Sequence, residues 1–126
     1  MISVIIPTLE EAGRLEACLA GLRRQDHDHE IIVADGGSRD QTVAIARRLG
    51  ARTVTAPAGR GAQLRAGAEA ARGEVLLFLH ADTSLPADGL ARIARALAAE
   101  PQVIGGNFPI RFDGERPFAR WLTRFY

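Results

Sequence analysis

Four short apolar segments, each followed by a helical pattern, are the feature that most constrains the fold of this chain. The segments are rich in aliphatic residues, as buried strands are, and the stretches after them carry apolar residues at helical spacing or are Ala-rich. This alternation predicts a doubly wound α/β fold, with a Rossmann-like, mainly parallel sheet and helices on both faces. The predicted strands are residues 2–6, 30–35, 52–56 and 74–80, and the helices begin near Glu10, after Ser38, at residue 61 and after Pro86.

Local signals predict one boundary of each of three of these elements. Pro7 is expected to end the first strand, because proline has no N–H for a strand ladder. Thr8 with Glu11, and Ser38 with Gln41, have the spacing of capping boxes. We therefore expect their side chains to cap the first and second helices.

Polar clusters follow all four predicted strands. In doubly wound sheets, ligands bind outside the carboxyl ends of the strands. Because parallel strands end at the same edge, we expect the four clusters to meet along one rim and to form the ligand site. The clusters are residues 8–11, 35–38, 59–61 and 80–82.

The last cluster contains two candidate metal ligands, His80 and Asp82. Residues two apart in an extended chain face the same side, so both could face one ion. A divalent cation held by a carboxylate can bridge two phosphates and offset charge on a leaving group. Imidazole suits Mn²⁺ better than Mg²⁺. The alternatives are that Asp82 starts a turn or caps the next helix, and that His80 binds a phosphate or fills the strand end.

Asp35 and Arg60 are the other candidate ligand contacts on the rim. A carboxylate at the position of Asp35 could accept a hydrogen bond from a base or a ribose, or could bind its own turn. Arg60 lies between two glycines before a predicted helix N-terminus, which is typical of a diphosphate contact. A solvated loop arginine is the alternative for Arg60.

Composition excludes several function classes. All 16 basic residues are arginine, which excludes a P-loop lysine and a lysine Schiff base. The net charge of +1 implies no general attraction to nucleic acid. We expect no membrane span and no signal peptide, and the single cysteine, Cys18, favours a cytoplasmic location.

Several motifs along the chain resemble those of family 2 glycosyltransferases of the GT-A fold. The resemblance is specific for the superfamily and much less specific for the substrate. The forms "GRGAQ" and "LHADT" are most similar to the subgroup of radical-SAM/selenodomain-associated transferases. The motifs, in order, are "SVIIPTLEE", "EIIVADGGSRDQT", "GRGAQLRAGAEAARGEVLLFLHAD" and "VIGGNF".

The resemblance implies a GT-A domain that binds a UDP- or GDP-sugar with Mn²⁺ or Mg²⁺, for sugar transfer with inversion to an unknown acceptor. Asp35 would contact the base and Arg60 the base or the phosphates. Asp82 would hold the metal, because residues 80–82 stand in place of the family's Asp-x-Asp motif. The remaining implied residues are Pro7, Thr8, Leu9, Glu11, His80 and Ala81 around the nucleotide-sugar, and Gly105, Gly106 and Asn107 on the acceptor side.

The sequence departs from the family pattern in three ways. Glu10 stands where many members have asparagine, and His80 stands where many have the first aspartate of the metal motif. The family's catalytic base is an acidic residue in a later part of the chain, and no residue here matches it. We therefore expect residues 1–126 to be a single nucleotide-sugar-binding domain without the acceptor and catalytic-base part.

The last residues form an apolar stripe at helical spacing: Phe118, Trp121, Leu122, Phe125 and Tyr126. Three interpretations are open. The stripe could be a core helix that packs on further chain, a helix at a membrane surface near a lipid-linked acceptor, or a contact between two copies in a homodimer.

Two other functions are alternatives to glycosyl transfer. A sugar-phosphate nucleotidyltransferase also uses an α/β sheet and a metal carboxylate, but it usually has a Gly-rich loop after the first strand, and "PTLEEAGR" is not Gly-rich. A non-catalytic nucleotide-binding or interaction module would suit the short chain and its aromatic tail.

Overall fold

The computed structural model describes residues 1–109. Its contacts divide the chain into two compact units, Met1–Arg95 and Ala96–Tyr126. The single domain expected over residues 1–126 stays a prediction. The strands are β1 Ile2–Thr8, β2 His29–Asp35, β3 Arg52–Thr55 and β4 Val75–Phe78, and the helices are α1 Ala12–Leu22, α2 Thr42–Arg48, α3 Arg60–Ala70 and α4 Gly89–Ala99.

The four strands form one parallel sheet in the order β3-β2-β1-β4. β1 pairs with β2 along its whole length, from Ile2 opposite His29 to Thr8 opposite Asp35. The order in which strands are added to the sheet reverses at β1, because β2 and β3 lie on one side of β1 and β4 lies on the other. The predicted α/β fold with a parallel sheet is confirmed, and its central strand ends at the predicted rim.

Alternate residues of β1 serve the two faces of the sheet. Val4 and Ile6 are fully buried and pack in one hydrophobic cluster with Leu19 of α1. Ile5 points to the opposite face, where it meets α3 at Gly67. A Cβ on Gly67 would overlap the Ile5 side chain, so the glycine lets α3 approach the sheet closely. The predicted placement of helices on both faces is therefore confirmed.

Pro7 does not end β1, contrary to expectation, because the strand continues to Thr8. In a parallel strand, residues two apart direct their backbone groups to the same neighbour. The Ile5 carbonyl accepts from the Leu79 amide at 3.0 Å on the β4 side, so Pro7 also faces that side. β4 ends at Phe78, opposite Ile5, so the ladder requires no donor from Pro7.

Neither predicted capping box is present. The N-cap residues of α1 and α2 are Glu11 and Gln41, and neither helix start has a side-chain capping hydrogen bond at that residue. The hydroxyls of Thr8 and Ser38 instead donate to Asp35, at 3.1 and 2.6 Å. The predicted capping boxes are therefore wrong, because the Asp35 carboxylate at a neighbouring strand end accepts hydrogen bonds from both hydroxyls.

β4 is only partly buried, although its sequence reads as a continuous apolar run. Leu76 is 40% and Phe78 is 50% exposed. They pair with Ser3 and Ile5 and so lie on the α3 face of the sheet, where α3 packs on β1, β2 and β3. The apolar run therefore reflects a strand of which one face is open in the part of the chain that the structure describes.

The second unit is described only from residue 96 to residue 109. It holds the end of α4 and a turn in which the Val103 amide donates to the Glu100 carbonyl at 2.9 Å. Gly105, Gly106 and Asn107 follow this turn, and their role on the acceptor side stays a prediction. The aromatic stripe at 118–126 lies outside the described residues. No helix within residues 1–109 is both long enough and apolar enough to span a bilayer.

Candidate functional site

A cavity of about 290 Å³ opens at the carboxyl ends of β1 and β4, beside the N-terminus of α3. Three of the four predicted polar clusters contribute to its wall, as expected if parallel strand ends share one rim. Asp35, the remaining predicted nucleotide-sugar residue, does not line it. The lining residues are Pro7, Thr8, Leu9, Glu11, Gly59, Arg60, Gln63, His80, Ala81 and Asp82.

Asp35 lies behind the cavity wall and is 4% exposed. Its Oδ1 accepts hydrogen bonds from the hydroxyls of Thr8 and Ser38, at 3.1 and 2.6 Å. Its Oδ2 accepts from the amides of Gly37 and Ser38, at 2.9 and 2.8 Å. A carboxylate has about four acceptor positions, and four protein donors fill them. This is the geometry of the alternative interpretation, in which Asp35 binds its own turn.

The pKa of Asp35 is lowered in the folded chain. Burial alone would raise this pKa, but hydrogen bonds from Ser38, Gly37 and Thr8 favour the charged form and outweigh burial. The carboxylate is therefore ionised at neutral pH and holds the second loop of the rim against β1.

The loop after β1 is also bonded to the loop after β2. Glu10 adopts a left-handed backbone with φ of 56°, a region that asparagine tolerates better than glutamate. Its amide donates to the Ser38 hydroxyl at 2.9 Å, and its Oε1 accepts from the Arg39 amide at 2.6 Å. These two bonds offset the cost of the backbone conformation, which explains how a glutamate is accommodated at this position.

Asp82 and His80 are exposed at the mouth of the cavity. The Thr83 amide donates to the His80 carbonyl at 3.0 Å, which makes a tight turn after β4. The Asp82 Oδ1 accepts from the Thr83 hydroxyl at 3.3 Å, a long bond that leaves most of the carboxylate available. This turn presents one carboxylate and one imidazole to the cavity.

These side chains do not form a complete metal cage. Within residues 1–109, no group of three or more His, Cys, Asp or Glu side chains could hold an ion. Mg²⁺ and Mn²⁺ are nevertheless often held by one or two carboxylates, with substrate phosphates and water as the other ligands. The residues present therefore fit a cation that binds together with a phosphorylated ligand.

Cys18 lies on α1 against the same turn, and its Sγ is 3.8 Å from the His80 carbonyl oxygen. Burial raises the pKa of this thiol to about 11, and the nearby charge of Asp82 adds to the effect. Because the thiolate is the reactive form, Cys18 is a packing residue at neutral pH and not a nucleophile.

The N-terminus of α3 forms another part of the cavity lining. Gly59, the N-cap residue, has φ of 136°, a conformation that only glycine adopts easily. Arg60 is exposed, and it has no salt bridge within the described part of the chain. A guanidinium beside unpaired helix amides forms an environment that favours an anion such as phosphate.

Gln63 lines the cavity but was not among the predicted site residues. It is 5% exposed, and its Nε2 donates to the carbonyls of Thr8 at 2.6 Å and Ala34 at 3.1 Å. It therefore links α3 to the ends of β1 and β2. The available signal was its position four residues before Gly67, since both lie on the buried face of an otherwise weakly amphipathic, Ala-rich helix.

A second cavity, of about 440 Å³, lies at the amino ends of β2 and β3, with Arg23 and Gly50 in its lining. Its polar centre is Glu30, which accepts from the Ser3 hydroxyl at 2.7 Å and from Arg52 at 2.9 Å. The Arg72 amide also donates to Glu30, at 2.6 Å. This network joins three strands to the end of α3, so the Glu30 carboxylate has a structural role.

A family model matches nearly the whole chain. The chain matches the model of glycosyl transferase family 2 over residues 3–125. A PGL/p-HBAD biosynthesis glycosyltransferase of Mycobacterium tuberculosis is 44% identical over 103 residues, which is 75% of this chain and 40% of the relative. An undecaprenyl-phosphate 4-deoxy-4-formamido-L-arabinose transferase of Pseudomonas fluorescens is 29% identical, over 98% of this chain and 39% of the relative. The chain thus spans about 40% of the length of these relatives.

Solved structures of other proteins share the fold of this chain. The mannosyltransferase PcManGT from Pyrobaculum calidifontis, in complex with GDP-Man and Mn²⁺, has a TM-score of 0.72 and 29% identity over 81% of this chain and 33% of its own. TarS of S. aureus has a TM-score of 0.75 over 90% of this chain and 40% of its own. Because its sequence is only 24% identical, this similarity is evidence for the fold and not for the function. The family model covers nearly the whole chain and the solved structures share its parallel sheet, so the fold is that of a GT-A domain and the chain belongs to glycosyl transferase family 2.

Proposed function

We propose that this chain is the donor-binding part of a glycosyltransferase and that the cavity at the carboxyl ends of β1 and β4 binds a nucleotide-diphospho-sugar. The observation that carries the proposal is that one cavity is lined by two kinds of group. Arg60 and the α3 N-terminus favour an anion, and Asp82 with His80 could hold a cation. An anion with an associated cation matches both kinds of group together.

Asp82 would hold a divalent cation, Mn²⁺ or Mg²⁺, together with the donor diphosphate, and His80 is the candidate second ligand. Such a cation stabilises the negative charge that develops on a leaving diphosphate. Arg60 would contribute to the same stabilisation through charge-assisted hydrogen bonds from its guanidinium. PcManGT carries Mn²⁺ with GDP-Man, which supports a metal and a GDP- or UDP-sugar as the donor class here.

The proposed reaction is a direct displacement with inversion at the anomeric carbon. A bond forms from an acceptor hydroxyl oxygen to that carbon, and the bond from the carbon to the diphosphate oxygen breaks. The nucleoside diphosphate leaves, and the hydroxyl proton passes to a general base. The lining residues of the cavity supply diphosphate binding, and we propose that the base comes from a part of the full-length enzyme outside this sequence.

Pro7, Thr8, Leu9 and Glu11 would form the β1 side of the nucleotide pocket, and Ala81 would lie next to the sugar phosphate. A lipid-linked acceptor and a peripheral membrane location stay predictions, because the stripe at residues 118–126 that suggested them lies outside the described residues. A homodimer that forms through the same stripe also stays a prediction. The proposed functional unit is therefore limited to donor binding.

Titration calorimetry of UDP and GDP against the 126-residue chain, with and without Mn²⁺, tests this function. We expect one of the two nucleotides to bind, and Mn²⁺ to raise its affinity by about tenfold or more. If neither nucleotide binds, donor binding is wrong and the interaction-module alternative is favoured. If the chain releases diphosphate from a nucleoside triphosphate and a sugar phosphate, the nucleotidyltransferase alternative is favoured instead.

A further inference from the structure

The second cavity brings together three arginines from separate parts of the chain. Arg23 is the C-cap residue of α1, Arg52 is the first residue of β3, and Arg72 follows the end of α3. All three line the cavity of about 440 Å³ at the amino ends of β2 and β3. The fold therefore gathers positive charge from three elements at one cavity.

Glu30 is the acidic residue of this lining, and protein donors already bind it. Its carboxylate accepts from the Arg52 guanidinium at 2.9 Å, from the Ser3 hydroxyl and from the Arg72 amide. The Arg52 guanidinium in turn also donates to the Ala70 carbonyl. Glu30 and Arg52 therefore satisfy each other, and little of this carboxylate is left for a cation.

The other two arginines of the lining have no such partner. In the part of the chain that the structure describes, the guanidiniums of Arg23 and Arg72 form no salt bridge, and both residues are exposed. Burial would raise the pKa of Glu30, but hydrogen bonds and the charges of Arg52 and Arg72 lower it. The carboxylate is therefore ionised at neutral pH, and three guanidiniums against one carboxylate leave two positive charges in excess.

Acidic residues near these positions in the sequence do not balance the excess. Asp26, Asp28 and Glu74 are exposed, and none of them lines the cavity. Arginine is the residue that best matches the geometry of phosphate, because its planar fork donates two parallel hydrogen bonds. The charge of the lining therefore favours an anion, and its chemistry favours a phosphate group.

The lining also has an apolar part. Ile31 and Leu49 line the same cavity and are partly buried against the hydrophobic core. A phosphate monoester carries about −1.5 to −2 charges at pH 7, which matches the excess of two positive charges. Its ester group would contact the apolar part of the lining, whereas inorganic phosphate has no such group.

This cavity is separate from the proposed donor site. The two cavities share no lining residue, and they lie at opposite edges of the sheet. The seven residues of β1 span about 20 Å from one edge to the other, at about 3.3 Å per residue. A phosphate bound at Arg60 therefore does not occupy the second cavity.

We propose that the second cavity binds a phosphate monoester of a small molecule. Arg23 and Arg72 bind the phosphate, and Ile31 and Leu49 contact the ester group. This site goes beyond the proposed function and does not depend on it.

Titration of phenyl phosphate into the ¹⁵N-labelled chain, without a divalent metal, tests the site. We expect saturable changes in amide chemical shift that are centred on Ile31, Gly50 and Arg52. Inorganic phosphate should bind about tenfold more weakly, because it buries no apolar surface. Equal affinity for the two probes would overturn the assignment to a monoester. Changes centred on Arg60, or shifts that do not saturate, would overturn the site itself.

Three arginine variants show whether binding depends on the lining or on charge in general. Arg23→Gln and Arg72→Gln should each weaken phenyl phosphate binding by about tenfold, because each removes a charged hydrogen-bond donor. The matched control is Arg24→Gln, which removes the same charge from an exposed neighbour that does not line the cavity. It should change the affinity by about twofold or less, because salt screens an exposed charge. If Arg24→Gln weakens binding as much as Arg23→Gln does, the attraction is non-specific and the proposal is wrong.

Discussion

Replacing Asp82 with asparagine should remove the gain in nucleoside diphosphate affinity that Mn²⁺ produces, and it should leave the metal-free affinity nearly unchanged. Asp82 and Glu11 are the two carboxylates that line the cavity. Glu11 lies 3.8 Å from the guanidinium of Arg14, whereas Asp82 has only a long hydrogen bond from a hydroxyl within the described residues. Loss of a direct ligand should cost about 10- to 100-fold in metal-dependent affinity, at least as much as loss of an outer-shell partner. Calorimetric titration of the nucleoside diphosphate with and without Mn²⁺ measures this loss of metal-dependent affinity.

The matched control is Glu11→Gln, which neutralises the other carboxylate that lines the cavity and should keep the gain from Mn²⁺. His80→Ala in the same titration separates the two interpretations of the histidine. A loss comparable to that of Asp82→Asn assigns metal ligation to His80, and an unchanged Mn²⁺ response assigns the ion to Asp82, phosphate and water. If Asp82→Asn responds to Mn²⁺ like the wild type, Asp82 is not a metal ligand.

Replacing Asp35 with alanine should lower the free energy of unfolding by roughly 3 kcal/mol, because buried donors lose a charged acceptor. The affected donors are the Thr8 and Ser38 hydroxyls and the amides of Gly37 and Ser38. Urea unfolding monitored by circular dichroism measures the change. Asp26→Ala removes an exposed carboxylate and should leave the midpoint within experimental error. A wild-type midpoint in Asp35→Ala would contradict the structural role.

The same carboxylate predicts a loss of stability in acid. The folded-state pKa of Asp35 is lower than the 3.8 of an unperturbed aspartate, so its contribution is complete above about pH 4 and is lost as pH falls through the folded-state pKa. Glu30 has a lowered pKa as well: burial would raise it, but hydrogen bonds from Ser3 and Arg72 and the charge of Arg52 lower it from 4.5. The wild-type chain should therefore lose stability below about pH 4.5, and Asp35→Ala should lose less over the same range.

Local sequence patterns were sufficient to predict the strands and helices of the first unit. Alternating apolar segments and helical patterns predicted all four strands and helices, with small errors at their ends. The rule that parallel strands end together then predicted that Thr8, Arg60 and Asp82 share one rim, and all three line the same cavity. These features depend on periodicity and chain direction, which a single sequence contains.

Features that depend on partners distant in sequence were not predictable. Thr8 and Ser38 have capping spacing, but their hydroxyls bind Asp35, and nothing local indicates that competition. Pro7 is tolerated because β4 ends before it, a fact about a strand some 70 residues away. Gln63 was missed because a polar residue in an Ala-rich helix looks exposed until Gly67 identifies the face that packs on the sheet.

Paramagnetic broadening of backbone amide signals in NMR spectra is the most direct test that this cavity holds the donor with its metal. Mn²⁺ is added with UDP, or with GDP if that nucleotide binds, to the ¹⁵N-labelled chain, and diamagnetic Mg²⁺ gives the reference spectrum. We expect the amides of Arg60, Ala81 and Asp82 to broaden first and most strongly. Broadening centred instead on Arg23 and Gly50, at the amino ends of the strands, or spread evenly over the chain, would contradict a donor site at this rim.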